Sequence, residues 1–352
     1  MRRRQALATM LSFAASTLVV AATGRPAPIV SAAAAPFGAS QPLVLALYYP
    51  WYDEGTWESG MTADQPLVPY ASWHRETIER HVGWAKDARL DVLVSAWFGP
   101  RDNNPTENNL KTLLDVAQPT DLKVAILVET DSGDFFPSRG ALVDGLKHAL
   151  ANHATHSAYV RVDGRPVIVV WRPAAVFGTN GARVNQRGAA AVAAWRAILD
   201  EVDPGRQALW IAEGEDASVL DVFDGLFPYS IAWAGDPAGQ LNSYGGRVRA
   251  YNGANGAAKR WIATAMPGYD DRSIPGRSST FVVDRAGGAY YERTFQGAIA
   301  SRPDWVMVTS FNEWLEGHQI EPSTSYGTRF LELTRSLGDS FRRSAAGRQI
   351  GG

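Results

Sequence analysis

Cysteine is absent from the 352 residues of this sequence, so a disulfide framework and a thiolate metal site are both excluded. A surplus of basic charge is missing as well. Setting aside the four arginines of residues 1–35 leaves 30 of the 34 basic residues against 36 acidic ones, a formal charge of about −6. This balance argues against nucleic acid or an anionic membrane as a partner.

No glycine-rich phosphate-binding fingerprint follows the first apolar run of the chain, at residues 43–52. A nucleotide-binding open sheet needs such a turn, because its glycines let the backbone approach the phosphates. Internal repeats, low-complexity tracts and linkers are also absent after residue 40. We therefore expect one domain over residues 36–352, without a cofactor and as a monomer.

Residues 1–35 have the form of an export signal. Three arginines precede an apolar stretch, and small residues follow it at 31–35. We interpret this segment as a signal peptide and exclude it from the fold, which predicts a secreted, periplasmic or cell-surface protein. Two alternatives stay open: Arg3 and Arg4 are compatible with a twin-arginine route, and the leader could be retained as an anchor.

Apolar runs alternate with helical stretches along the rest of the chain. The runs begin near residues 43, 91, 123, 166, 208, 225, 260 and 305, and the helical stretches lie near 73–88, 107–116, 138–152, 185–201, 241–255, 288–300 and 328–342. Such alternation is typical of a parallel sheet with helices outside it. Eight runs in about 300 residues predict a (β/α)8 TIM barrel of the α/β class.

Polar and aromatic residues recur where these runs end. In a barrel the ends of all strands meet at one mouth, where active sites lie. The residues in question are Tyr49, Trp97, Glu129, Trp171, Glu213, Tyr229, Tyr269 and Glu313. Tyr49 is joined by Tyr48, Trp51 and Tyr52, and the sequence holds 12 tryptophans. Because aromatic faces are common stacking surfaces for sugars, we predict a carbohydrate-binding wall.

The densest set of polar residues follows the last apolar run, at residues 309–323. Glu313, Glu316 and Glu321 lie within nine residues, beside Asn312, Trp314, His318 and Gln319. Glycoside cleavage needs two carboxyl groups, one protonated and one ionised, and uneven burial can separate their pKa values. A solvated acidic loop is the other interpretation. His81, by contrast, is predicted to be a packed residue, and His148, His153 and His156 to be surface or capping groups and no metal site.

The stretch FNEWLEGHQIEPS, at 311–323, resembles the NEWHEGTQIE signature of glycoside hydrolase family 99, the endo-α-1,2-mannosidases and endo-α-mannanases. Earlier in the chain, five further stretches resemble the family and occur in the same order as in its members. They are YYPWY, SAWFG, KVAILVE, DGLFPYS and PGYDD. Leu315 stands where the family usually shows histidine. The resemblance implies a (β/α)8 barrel, no metal, and retaining cleavage inside α-mannosidic chains.

The resemblance also implies roles for individual residues. Glu316 matches the general acid/base, and Glu313 matches the carboxylate that deprotonates the sugar 2-hydroxyl, whose oxygen then attacks the anomeric carbon to give a 1,2-anhydro sugar. The implied substrate contacts are Tyr49, Trp97, Glu129 and Tyr229. To these we add, from their places at the predicted mouth, Trp51, Tyr269, Asn312, Trp314 and Gln319.

Two other functions remain open at this stage. The same barrel could bind carbohydrate without cleaving it, in which case the aromatic residues would matter and the carboxylates would not. It could also hydrolyse another α-linked polysaccharide, because the two acids fix the chemistry more firmly than the glycan.

Overall fold

Eight parallel strands pair in chain order, and the last pairs with the first, so the sheet closes into a barrel. The structure is a computed structural model that describes residues 37–101, 104–131, 135–177 and 183–350. The strands are β1 (Leu43–Tyr48), β2 (Val92–Trp97), β3 (Lys123–Val128), β4 (Arg165–Val170), β5 (Leu209–Glu213), β6 (Gly225–Phe227), β7 (Arg260–Ala265) and β8 (Trp305–Val308). The predicted (β/α)8 barrel is confirmed.

The strands are apolar along almost their whole length because both of their faces are covered. Every residue of β1, β2, β3 and β8 is buried. Side chains on one face fill the barrel, and those on the other face pack against the helices. Leu45 of β1 pairs with Met307 of β8 on one side and with Val92 of β2 on the other, so the first strand has no free edge.

Helices surround the barrel as α1 (Glu54–Glu58), α2 (Arg75–Asp87), α3 (Pro105–Ala117), α4 (Arg139–His148), α5 (Ala189–Val202), α6 (Pro237–Asn255), α7 (Ala289–Ala300) and α8 (Arg329–Ile350). The first residues of α3 and α6 are of types that favour a helix start. Asn104 and Asp236 accept from backbone N–H groups at the starts of α3 and α6, and proline occupies the first turn of both helices, which suits its fixed φ and missing donor.

Several local features differ from the sequence-based expectation. A five-residue 3-10 helix, Ala217–Asp221, connects β5 and β6, where the sequence analysis places no helix. The loop predicted after β1 contains α1, and α4 continues into a π-helical turn at Ala149–His153. The predicted leader and its boundary lie outside the described residues. Within the described part, no helix combines the length and hydrophobicity needed to cross a bilayer.

Candidate active site

The loop after β8 brings two glutamates to the mouth of the barrel through a tight turn. The N–H of Gly317 donates to the carbonyl of Trp314 at 3.2 Å, and the N–H of Asp270 donates to the carbonyl of Glu316 at 2.8 Å. Gly317 has φ 64°, and a Cβ there would come within 3.0–3.1 Å of Asp270. Glycine therefore suits this position better than any other residue, and the segment is a turn.

Glu313 is buried, with 5% of its surface exposed. The Tyr52 hydroxyl donates to its Oε1 at 2.9 Å, and the backbone N–H of Leu315 donates to the same oxygen at 3.2 Å. Burial and the negative charges of Glu316 and Glu129 outweigh these bonds and raise the pKa of Glu313 to about 8. This burial excludes the interpretation of the segment as a solvated acidic loop.

Glu316 has the opposite electrostatic environment. Its Oε2 accepts from the Tyr229 hydroxyl at 2.8 Å and lies 3.0 Å from Nε2 of His318, and its Oε1 is paired with the Arg277 guanidinium. Burial opposes ionisation, yet the bonds from His318, Arg277 and Tyr229 prevail and lower the pKa of Glu316 to about 2. Glu316 is therefore ionised in the free protein.

The two glutamates together hold one proton over a wide pH range. Their pKa values, about 8 and about 2, lie on either side of the usual range for glutamate, and each negative charge disfavours the other. Such a pair titrates as a unit. Between these two limits it consists of one acid and one carboxylate, which is the combination that glycoside cleavage uses.

Two further glutamates at strand ends have raised pKa values. Burial and the charge of Glu213 raise the pKa of Glu129 to about 8. Burial raises the pKa of Glu213 to about 7, even though backbone N–H groups favour its ionised form. Glu129 acts electrostatically on both Glu313 and Tyr49, which puts it beside the carboxyl pair as the strand-end pattern predicts.

Aromatic side chains surround this pair. The Tyr49 hydroxyl donates to the Tyr229 hydroxyl at 3.4 Å, and Tyr269 stacks on His318 with ring centroids 5.9 Å apart. Trp51 is half-buried. Its ring centroid lies 4.7 Å from that of Tyr49 and 5.6 Å from that of Phe98, on which it stacks. The predicted group of Tyr49, Trp51, Tyr229 and Tyr269 is thus brought together next to Glu316.

Three predicted substrate contacts are corrected, because their side chains are fully buried in other roles. Trp97 faces the helical layer, where its indole N–H donates to Glu107 of α3 at 2.7 Å. Trp314 donates its indole N–H to Glu321 at 2.9 Å. Asn312 accepts from the backbone N–H of Tyr49 at 2.7 Å and donates to its carbonyl at 2.9 Å.

Gln319 is 2% exposed and borders a separate cavity of about 230 Å³ together with Tyr269 and Asp270. The third glutamate of the motif, Glu321, is also buried. Its Oε1 lies 3.0 Å from Nε2 of His81, so His81 is a packed residue as predicted.

Two residues that contact the glutamates are not among the predicted site residues. Tyr52 was part of the aromatic cluster, but its bond to Glu313 depends on how the chain folds back after β1. Arg277 lies in the long loop after β7, where no sequence pattern marks it. It contacts Glu316, and it reaches Asp271 at 2.6 Å and the Tyr269 hydroxyl at 2.9 Å.

A cavity of about 450 Å³ lies along the ends of β5 and β6. It shares Tyr229 with the pair, and Glu213, Trp233 and Tyr244 also line it. Trp233 is 57% exposed, which makes its indole available as a stacking surface.

Away from the mouth, Glu107, His148 and His153 have ligand atoms within 4.8 Å of one another and could hold a metal ion. This differs from the expectation that the histidines are surface or capping groups.

Comparison with known proteins agrees with this architecture. The model of "Glycosyl hydrolase family 99" matches residues 59–334. A human "glycoprotein endo-alpha-1,2-mannosidase-like protein" is 27% identical over 308 residues, and a mouse "glycoprotein endo-alpha-1,2-mannosidase" is 26% identical over 302. These alignments cover 78% and 79% of this chain and 63% of each relative, so the chain spans less than two thirds of the length of these relatives.

The fold is also that of a solved family 99 endo-alpha-mannosidase from Bacteroides thetaiotaomicron. The TM-score is 0.67 at 22% identity, and the match covers 86% of this chain and 98% of that one.

Proposed function

This chain belongs to glycosyl hydrolase family 99, and from that premise we propose that it is an exported, retaining, endo-acting α-glycoside hydrolase that cleaves α-1,2-mannosidic linkages. The observation that carries the proposal is the pair of buried Glu313 and partly buried Glu316, whose pKa values are shifted in opposite directions beside an aromatic wall. The linkage is supported by what the relatives' names say of those proteins. Export and a monomeric state remain predictions from the sequence.

The proposed reaction has two steps. In the first, the ionised glutamate removes the proton of the sugar 2-hydroxyl, O2 attacks C1, and the protonated glutamate donates to the departing glycosidic oxygen. In the second, water attacks C1 of the 1,2-anhydro sugar and the C1–O2 bond breaks, while the carboxylate that acted as the acid takes a proton from the water and the other glutamate returns its proton to O2. Two inversions at C1 give net retention. We propose Glu313 as the base on the 2-hydroxyl and Glu316 as the general acid/base, as the family motif implies.

The proposed roles need the proton on Glu316, whereas the pKa shifts of the free protein favour the proton on Glu313. Arg277 and His318 favour ionised Glu316, whereas burial favours protonated Glu313. We infer that the entering glycan displaces the Arg277 guanidinium from Glu316. Losing that positive charge raises the pKa of Glu316, and the shared proton then moves from Glu313 to Glu316. Leu315 does not impede this arrangement, because Glu313 uses the backbone N–H of that residue.

The test of the activity is incubation with a panel of α-linked oligosaccharides, followed by sizing of the products and NMR of the newly released anomer. We expect internal cleavage of α-1,2-mannosides with retention, and we expect Glu316→Gln to abolish it while melting within a few degrees of wild type. Glycan binding without any product, unaffected by Glu313→Gln, would instead identify a non-catalytic carbohydrate-binding barrel. Cleavage of another α-glycan alone would overturn the linkage.

Activated substrates separate the two proposed roles. An α-glycosyl fluoride needs no proton on its leaving group, so Glu316→Gln should retain cleavage of the fluoride while losing cleavage of the oligosaccharide. Glu313→Gln should lose both, because the 2-hydroxyl is no longer deprotonated. The reverse pattern would assign the acid to Glu313, in line with its protonated state in the free protein.

A further inference from the structure

A cluster of two histidines and one glutamate lies outside the barrel, between α3 and the end of α4. Glu107 belongs to the first turn of α3, His148 ends α4, and His153 ends the π-helical turn that follows. Nε2 of His153 lies 3.0 Å from Oε2 of Glu107, and Nε2 of His148 lies 3.5 Å from Oε1. We propose that these three side chains form a binding site for a zinc-class divalent transition metal.

The donor set and its spacing suit such an ion. Zinc is commonly bound by imidazole nitrogens and carboxylate oxygens at about 2.0–2.2 Å, so that neighbouring ligands of a tetrahedral site lie about 3.3–3.5 Å apart. The two imidazole nitrogens each lie close to one oxygen of Glu107, His153 at 3.0 Å from Oε2 and His148 at 3.5 Å from Oε1. In a set with one ligand atom from each residue, all three atoms lie within 4.8 Å of one another. The side chain of His148 is 32% exposed, the most of the three, and is the one with room to turn toward an ion.

The surroundings also prepare the ligands. Glu107 and His153 are each 3% exposed, and the side-chain amide of Asn152 lies 3.2 Å from Nδ1 of His148. With an ion on Nε2, Nδ1 would carry the proton, and the Asn152 amide would have to rotate so that its oxygen accepts from Nδ1, as outer partners do at metal sites. Within the described residues, Nε2 of His148 and Oε1 of Glu107 are buried atoms without a well-oriented hydrogen bond.

Two other groups contact the carboxylate and define how an ion would enter. Trp97 donates its indole N–H to Oε2 at 2.7 Å and can remain in place. Lys111 places its ammonium 2.8 Å from Oε1, but its side chain is 55% exposed. The ion would replace this ammonium, and the lysine would swing into solvent. The fourth ligand position would then be open to water.

The site would join two segments that are distant in sequence. Glu107 lies more than 40 residues before His148, so an ion bound there would cross-link the second and third strand–helix units. It would also fix Glu107 and, through it, Trp97, whose neighbour Phe98 stacks on Trp51 at the mouth. The proposed role is structural, and it does not depend on the proposed enzymatic activity.

The test uses the full chain without a polyhistidine tag, freed of metal by chelation and dialysed. Zinc chloride is then titrated in by calorimetry, and the melting temperature is measured with and without the ion. We expect saturable binding of about one ion per chain and a higher melting temperature. His148→Gln should weaken the affinity at least tenfold, because one of three ligands is lost. Lys111→Met should tighten it several-fold, because the competing ammonium is gone.

His156→Gln is the matched control, since His156 lies nearby and pairs with Asp115 instead. It should bind zinc like the wild type. Absence of saturable binding, equal affinity in the His148 variant, or weaker affinity in the Lys111 variant would each overturn the proposal. Should the His148 variant not fold, the Lys111 variant alone still decides the matter, because its expected change is a gain.

Discussion

Replacing Glu313 by glutamine should change how the stability of this protein depends on pH. In the native state the pKa of Glu313 is raised to about 8, chiefly by burial, whereas an unfolded chain leaves it near 4.5. The native state therefore binds a proton that the unfolded state has released, and stability falls as the pH rises between these values. Glutamine keeps the shape and the acceptor oxygen for Tyr52 but cannot ionise.

The size of the effect follows from this difference. Each pH unit costs about 1.4 kcal/mol per proton, so the Glu313 contribution to the free energy of unfolding should decline by about 4 kcal/mol from pH 5 to pH 8. The variant lacks this decline. Relative to wild type, Glu313→Gln should therefore gain about 4 kcal/mol over that interval.

Urea unfolding at pH 5 and pH 8 measures this difference directly. Glu58→Gln, at an exposed position on α1, is the control for the loss of a glutamate and should run parallel to wild type. If Glu313→Gln also ran parallel to wild type, Glu313 would be ionised in the native state. The account of a single shared proton would then be wrong.

Three further predictions concern the mouth of the barrel. Arg277→Met removes the ion pair and should raise the pKa of Glu316 from about 2. The acid limb of the kcat/KM profile should then move to higher pH, while the alkaline limb near pH 8 stays with Glu313. An unmoved acid limb would contradict this. Asn312→Ala should lower the free energy of unfolding by about 2–3 kcal/mol, since two backbone groups of Tyr49 lose their partner, and a loss below 0.5 kcal/mol in urea unfolding would show that water replaces the amide. Trp233→Ala should raise KM for long glycans more than for short ones at unchanged melting temperature, and Trp73→Ala, at another exposed tryptophan, is the control. Equal effects on both substrate lengths would exclude the cavity beside Trp233 as a binding path for the glycan.

The barrel could be predicted from the sequence because its strands are buried on both faces. A strand such as β3, with six buried residues in a row, gives an uninterrupted apolar run whose boundaries are clear. The region between β5 and β6 is different, because the chain crosses there with only a 3-10 helix. So short a connection has too few residues for a helical spacing of apolar positions to show in the sequence.

The site could be predicted in its chemistry but less well in its individual contacts. Glu313, Glu316 and Tyr229 lie together because the strand ends meet in any closed barrel. Trp97 and Trp314 also follow their strands closely, yet their indoles point away from the mouth to buried glutamates. The direction of such a side chain depends on a partner from a distant segment, and a single sequence does not reveal it. For the same reason Arg277 could not be assigned.

The link between Asn312 and Tyr49 joins residues that are 263 positions apart. The side-chain amide binds both the N–H and the carbonyl of Tyr49, so the tyrosine takes its place only once the final strand has been added next to the first. A chain still emerging from the ribosome, or one cut before residue 305, consequently lacks both Glu313 and Glu316 and the bonds that hold the backbone of Tyr49. Under the proposed function, an incomplete copy would therefore cleave no glycan until this last strand has been made.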